Sequence, residues 1–235
     1  MRKYLLVTFF CFSLASPVKA DCYSLWDVIR SLVTDQMLLQ QSKGSFYCSV
    51  VCAVNATQVL LKASGRGAEI EKPMKLVEKL FRERPELRER LQRRGVRDNE
   101  AFDFLQFLLK EVGFDPQISG ITTQSAHASE HVRYVEQFTA SDLVMEGPLE
   151  VKIVALHGHP TTFGQRGVSH YALAVGFNRG EGTLTLSDPM NPGKKVTGTL
   201  LPRNNSRRLR LKLPSDDFDP NFDWSVGSVI TVRLQ

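Results

Sequence analysis

From Cys48 the chain runs through small and apolar residues as far as Leu61 without an internal breaker, and the following ASGRG supplies Gly65 as a stop. The Val50, Val51 and Val54 cluster would suit a buried strand, but the length of the run predicts a helix. EKPMKLVEKLFRERPELRERLQRRG spaces Leu, Val and Phe three or four apart among charges and is interrupted at Pro85, which predicts one or two amphipathic surface helices. DNEAFDFLQFLLKEVGF predicts another helix, with Asp98 or Asn99 as its cap and Gly113 as its stop.

Beyond residue 148 the period changes. LEVKIVALHG is an apolar run of strand length, YALAVGFN is a second, and GTLTLSDP alternates as a strand after the turn NRGEG. KKVTGTLL, RRLRLKL and SVGSVITVRL add three more strands at short spacing. Helices first and a mostly antiparallel sheet afterwards is an α+β layout.

Composition adds the compartment. MRKYLLVTFFCFSLASPVKA carries two early cations, an apolar run and small residues at Val18 and Ala20, the pattern of a secretory signal cleaved after Ala20. Its apolar run is too short to span a bilayer. The expected division is therefore a signal at 1–20 and a single domain at 21–235, with no membrane span in the mature chain and a secreted or periplasmic location. Arg2, Lys3 and Lys19 leave with the signal, so the net charge falls from +5 to +2. That balance is no nucleic-acid footprint. The basic RNNSRRLRLKLP has no interleaved aromatic residues and is followed by the acidic SDDFDPNFD, so it reads as a solvated flank of a strand.

Of the four cysteines, Cys11 lies in the signal, and the mature chain keeps Cys22, Cys48 and Cys52. An odd count leaves one thiol over in an oxidising compartment. His170 opens HYALAVGF and Asp188 closes GTLTLSDP, eighteen residues later across a hairpin. Antiparallel neighbours bring the entry of one strand beside the exit of the next, so these side chains should meet at one edge of the sheet. A cysteine at a helix start, facing that histidine, completes a nucleophile, a base and an orienting acid.

In order and spacing, FYCSVVCAVNATQVL, VKIVALHG, GVSHYALAVGF and LTLSDP resemble the papain-like cysteine peptidases, especially the branch related to bacterial double-glycine leader peptidases. There the nucleophile opens a CGPAA-like helix, the base lies in HYVVVTGY and the third member in VNDP. The resemblance implies a papain-like fold, with Cys48 as nucleophile on the helical part, and His170 as base and Asp188 as acid on the sheet. It also implies a glutamine about six residues before the nucleophile, donating to the oxyanion. Ser42 holds that position here, and a one-residue adjustment of the loop brings in Gln41, with Gln40 beside it. Ser49 stands where the family usually has glycine.

Position favours the same cysteine. Cys48 begins the helix, where unpaired N–H groups favour a thiolate, whereas Cys52 lies inside among Val51, Ala53 and Ala56. Cys52 is then a packing residue or the partner of Cys22. The function implied is hydrolysis of a peptide or protein substrate through a thioester acyl-enzyme, with no cofactor. The same three residues would serve a cell-wall peptide amidase or an acyl or glutaminyl transferase, and a binding protein that has lost turnover could keep them. His157 and His159 stand two apart without a neighbouring cysteine or acid, and His127 and His131, helix-compatible at four apart, lack a third ligand and should face solvent; no metal is expected.

Overall fold

The computed structural model describes residues 25–34, 37, 38, 40, 47–94, 96–147, 149–162, 166–202 and 209–234. The signal segment, Cys22, Gln41 and Ser42 lie outside the described residues.

The unbroken apolar run becomes the central helix. Among the described residues there are five α-helices, α1 (Leu25–Thr34), α2 (Cys48–Ala63), α3 (Lys72–Glu83), α4 (Pro85–Arg94) and α5 (Asp98–Glu111). Every residue of α2 from Cys48 to Leu61 is buried, which is why its sequence shows no polar face. Burial outweighs the weak helix preference of its β-branched valines. Gly65, just past its end, has φ 78°, a left-handed conformation that other residues adopt at a cost. Pro85 starts α4 rather than breaking one long helix, because a first-turn proline sacrifices no helical hydrogen bond. Helix α1, unmarked by any motif, packs Ile29 and Leu32 into the same core as α2.

Among the described residues eight strands form one sheet: β1 (Gln117–Thr122), β2 (Val132–Tyr134), β3 (Glu150–Pro160), β4 (Val168–Asn178), β5 (Thr183–Asp188), β6 (Asn191–Leu200), β7 (Leu209–Lys212) and β8 (Phe222–Arg233). Their order is β2-β1-β8-β3-β4-β5-β6-β7, and β7 also pairs with β8. The last six strands therefore close into a barrel. All pairings are antiparallel except β1 with β2. Strand β8 changes partner along one side: Ser225 and Val226 pair with β7, while Ser228 onward pairs with β1.

The two faces of the barrel carry two cores. Val154, Leu156, Leu184, Leu186 and Val226 fill the interior with Phe218 and Trp224. Ile153, Ala155, Leu173 and Ile230 face outward against α2 and α5. Strand β3 is thus buried on both faces from Glu150 to Gly158. That explains why LEVKIVALHG reads as a continuous apolar run with little alternation. Architecture is α+β, with helices on one side of a mostly antiparallel sheet.

One boundary differs from the sequence expectation. Arg97, not Asp98 or Asn99, precedes the first turn of α5, and its N–H donates to Glu100 Oε2 at 3.0 Å. Asp98 is the first helical residue, and its carboxylate is spent on distant partners.

Candidate active site

Helix α2 opens at Cys48, and the residue before it, Tyr47, offers no side-chain cap to the first turn. The thiol therefore stands at the positive end of a sixteen-residue helix dipole. Cys48 is 9% exposed, within reach of a ligand yet mostly out of water.

His170 is the third residue of β4 and Asp188 the last of β5. The register places Leu173 opposite Ser187, so Asp188 lies toward the start of β4. The side chains meet: His170 Nε2 and Asp188 Oδ1 are 3.0 Å apart. Their meeting point is the end of two interior strands, not a sheet edge, because β4 lies between β3 and β5, and β5 between β4 and β6. Asp188 Oδ1 also accepts the Met190 N–H at 2.8 Å, which pins the carboxylate across the tight β5–β6 turn. Phe218 lies edge-on to the imidazole, with ring centres 5.8 Å apart.

Burial by itself would lower the His170 pKa. The hydrogen bond to Asp188, then the one to Cys48, with the charges of both, more than offset this and raise the pKa from 6.5 to about 9. The imidazole is thus held as a cation at neutral pH between a carboxylate and a sulfur. The His170–Asp188 pair is joined at 3.0 Å, and Cys48 at the helix start is the second group that favours the cationic imidazole.

Cys52, one turn along, is a free thiol with no exposed surface. Burial pushes its pKa well up, reinforced by the charges of Cys48 and Asp188, so it stays protonated. Gln40 lies close by, its side-chain amide donating to the Met190 carbonyl at 2.8 Å. That amide is committed to the turn beside Asp188.

A second polar cluster, unread in the sequence, braces the site from behind. Asp98 is fully buried and accepts three hydrogen bonds, from Tyr171 Oη (2.5 Å), Thr122 Oγ1 (2.9 Å) and His127 Nδ1 (3.0 Å). Burial would raise its pKa, but the bonds from His127, Tyr171 and Thr122 lower it, and Asp98 remains a carboxylate. Tyr171 directly follows His170, so this cluster ties β4 to the start of α5 next to the imidazole. The expectation that His127 faces solvent is corrected: Ser125–His127 is a three-residue 3-10 helix that brings the ring against the buried Asp98. His131 is exposed, as expected, with its ring stacked on Phe102 and ring centres 5.3 Å apart. The one sequence signal for the cluster was an acid at a helix start, which is also the signal for a cap.

His157 and His159 do not act as a pair. His157 is buried, with Nδ1 2.7 Å from Ser169 Oγ and Nε2 2.8 Å from the Gln124 amide nitrogen. Among the described residues no group of three or more His, Cys, Asp and Glu is placed to hold a metal. No protein-family model matches the chain, and no curated protein matches it.

Proposed function

We propose that the chain is a cysteine peptidase of papain-like fold, secreted under the direction of residues 1–20, that hydrolyses a peptide or protein substrate. The hydrogen bond of Asp188 to His170, with Cys48 at the start of a buried helix acting on the same imidazole, carries this reading. In the proposed reaction the Cys48 thiolate adds to the scissile carbonyl carbon. The oxyanion forms beside the N-terminal N–H groups of α2, with Gln41 as the side-chain donor. His170 transfers its proton to the amine nitrogen as the C–N bond breaks, leaving a thioester on Cys48. Neutral His170 then takes a proton from water, which attacks the thioester, and returns it to the sulfur as the acid product departs. Asp188 orients the ring and stabilises its cationic form throughout.

The test is labelling of the mature protein with iodoacetamide, followed by profiling against a peptide library and against muropeptides. Cleavage by the wild type but not by the Cys48→Ala variant supports the reading. Labelling of Cys48 with no peptide cut, and transfer to an amine acceptor instead, would turn it to the transferase alternative.

A further inference from the structure

A cavity of about 510 Å3 opens on the outside of the barrel, where β8 leaves β7 for β1. Gln124, Tyr134, Glu136, His157, Ser169 and Ser225 are among its lining residues. Its floor is built for polar contact. The His157 ring lies directly over Gly227, where any Cβ would overlap it. The Gly227 carbonyl in turn accepts the Thr123 N–H at 2.9 Å and the Thr122 and Thr123 hydroxyls at 3.3 and 3.2 Å. With Ser169 and Gln124 bonded to its two nitrogens, the imidazole is fixed in place, and Ser169 Oγ is held at the cavity surface.

Among the described lining residues the permanent charge is the carboxylate of Glu136, with His157 and His159 the ionisable bases. Among the described residues no lysine or arginine lines the cavity, although the chain has 30 of them against 25 acids. Glu136 makes no ion pair or hydrogen bond with any described residue, and Tyr134, 45% exposed, presents its ring nearby. A lone carboxylate, an aromatic face and hydroxyl acceptors around a space of this size suit an organic cation. Ser169 also directly precedes His170 on β4, and successive strand residues point to opposite faces. The cavity therefore flanks the proposed catalytic histidine across a single strand.

We propose that this cavity binds an alkylammonium or guanidinium group, supplied by a lysine or arginine side chain of the polypeptide on which Cys48 acts. The source of the cation rests on the peptidase reading; the chemistry of the cavity does not.

Calorimetry on the Cys48→Ala protein, with the N-acetyl methylamides of lysine, arginine and norleucine as probes, tests both parts. Lysine and arginine derivatives should bind, the neutral norleucine derivative should not, and added salt should weaken the complex. Glu136→Gln, an exposed change that should leave the thermal midpoint in place, should weaken binding about ten-fold, as loss of a charged hydrogen-bond partner does. In the otherwise wild-type protein the same substitution should raise KM for peptides containing lysine or arginine and leave kcat unchanged. Equal binding of norleucine, or no effect of Glu136→Gln, overturns the cavity's assignment even if peptides are cleaved. Cation binding that depends on Glu136, in a protein that cuts no peptide, keeps the cavity's chemistry and overturns its assigned source together with the peptidase reading.

Discussion

Replacing Asp188 with asparagine removes a charge while keeping an oxygen where His170 Nε2 and the Met190 N–H find one now, at 3.0 and 2.8 Å. The His170 pKa of about 9 is the balance of burial, which lowers it, against the hydrogen bonds and charges of Asp188 and Cys48, which raise it from 6.5. A rise of that size corresponds to at most about 3 kcal/mol of preference for the imidazolium in the folded state. Because the folded pKa lies above the unfolded one, this stabilisation is fully present below about pH 6.5 and is lost as pH rises through about 9. Wild-type unfolding free energy from urea titrations should therefore fall by up to that amount across this window, over and above the titration of other groups. In Asp188→Asn much of the fall should vanish, and NMR of the imidazole should show His170 titrating at lower pH. Peptide cleavage should decline on the alkaline side near pH 9, where His170 loses the proton that the leaving amine needs. An imidazole that titrates near its ordinary value in the wild type, or an unchanged stability slope in Asp188→Asn, would refute the coupling on which the proposed mechanism depends.

Iodoacetamide should alkylate Cys48 first, as read by peptide mass spectrometry, and end activity; Cys52→Ala should keep turnover while lowering stability by about 1 kcal/mol for the lost buried sulfur. Loss of cleavage in Cys52→Ala, with its retention in Cys48→Ala, would reverse the two roles. Asp98→Ala should cost about 3–5 kcal/mol in denaturant unfolding, since it removes the short acceptor of the buried Tyr171 hydroxyl and the carboxylate partner of His127. Asp98 has a lowered pKa, so its contribution is present above the ordinary carboxylate range and lost on acidification; Asp98→Asn should flatten that acid limb. Gln41→Ala should lower kcat by about two orders of magnitude if it removes the proposed oxyanion donor. Gln40→Ala should do less, because its amide is already given to the Met190 carbonyl; the opposite ranking would transfer the role to Gln40.

Elements whose cause is local could be read from the residues alone. Helix α2 announces itself by an unbroken apolar run ended at Gly65, and β4 and β5 by the turn between them. Strand alternation together with that turn was enough to bring His170 and Asp188 to one place. What escaped depends on partners far along the chain. Barrel closure comes from Leu209, Arg210 and Leu211 pairing with Val226, Ser225 and Trp224, a match that no window of sequence displays. Strand β1, with Gly120 at its centre, has weak strand character of its own; it forms because β8 offers it an edge and Val132 fills the space a side chain at Gly120 would need. Asp98 followed the local rule for a cap, yet Tyr171, 73 residues away, claims its carboxylate.

The same distinction bears on how the site is held. A carboxylate midway along β5 would point into the apolar barrel interior beside Leu184 and Leu186, where nothing could offset its desolvation. At the strand's last position it meets both an imidazole and a turn N–H. Strands β3 and β6 flank the β4–β5 pair, so neither strand can slip by a residue without turning its apolar set outward. The successive pairings of β3 with β4, β4 with β5 and β5 with β6 are therefore what keep His170 and Asp188 facing each other.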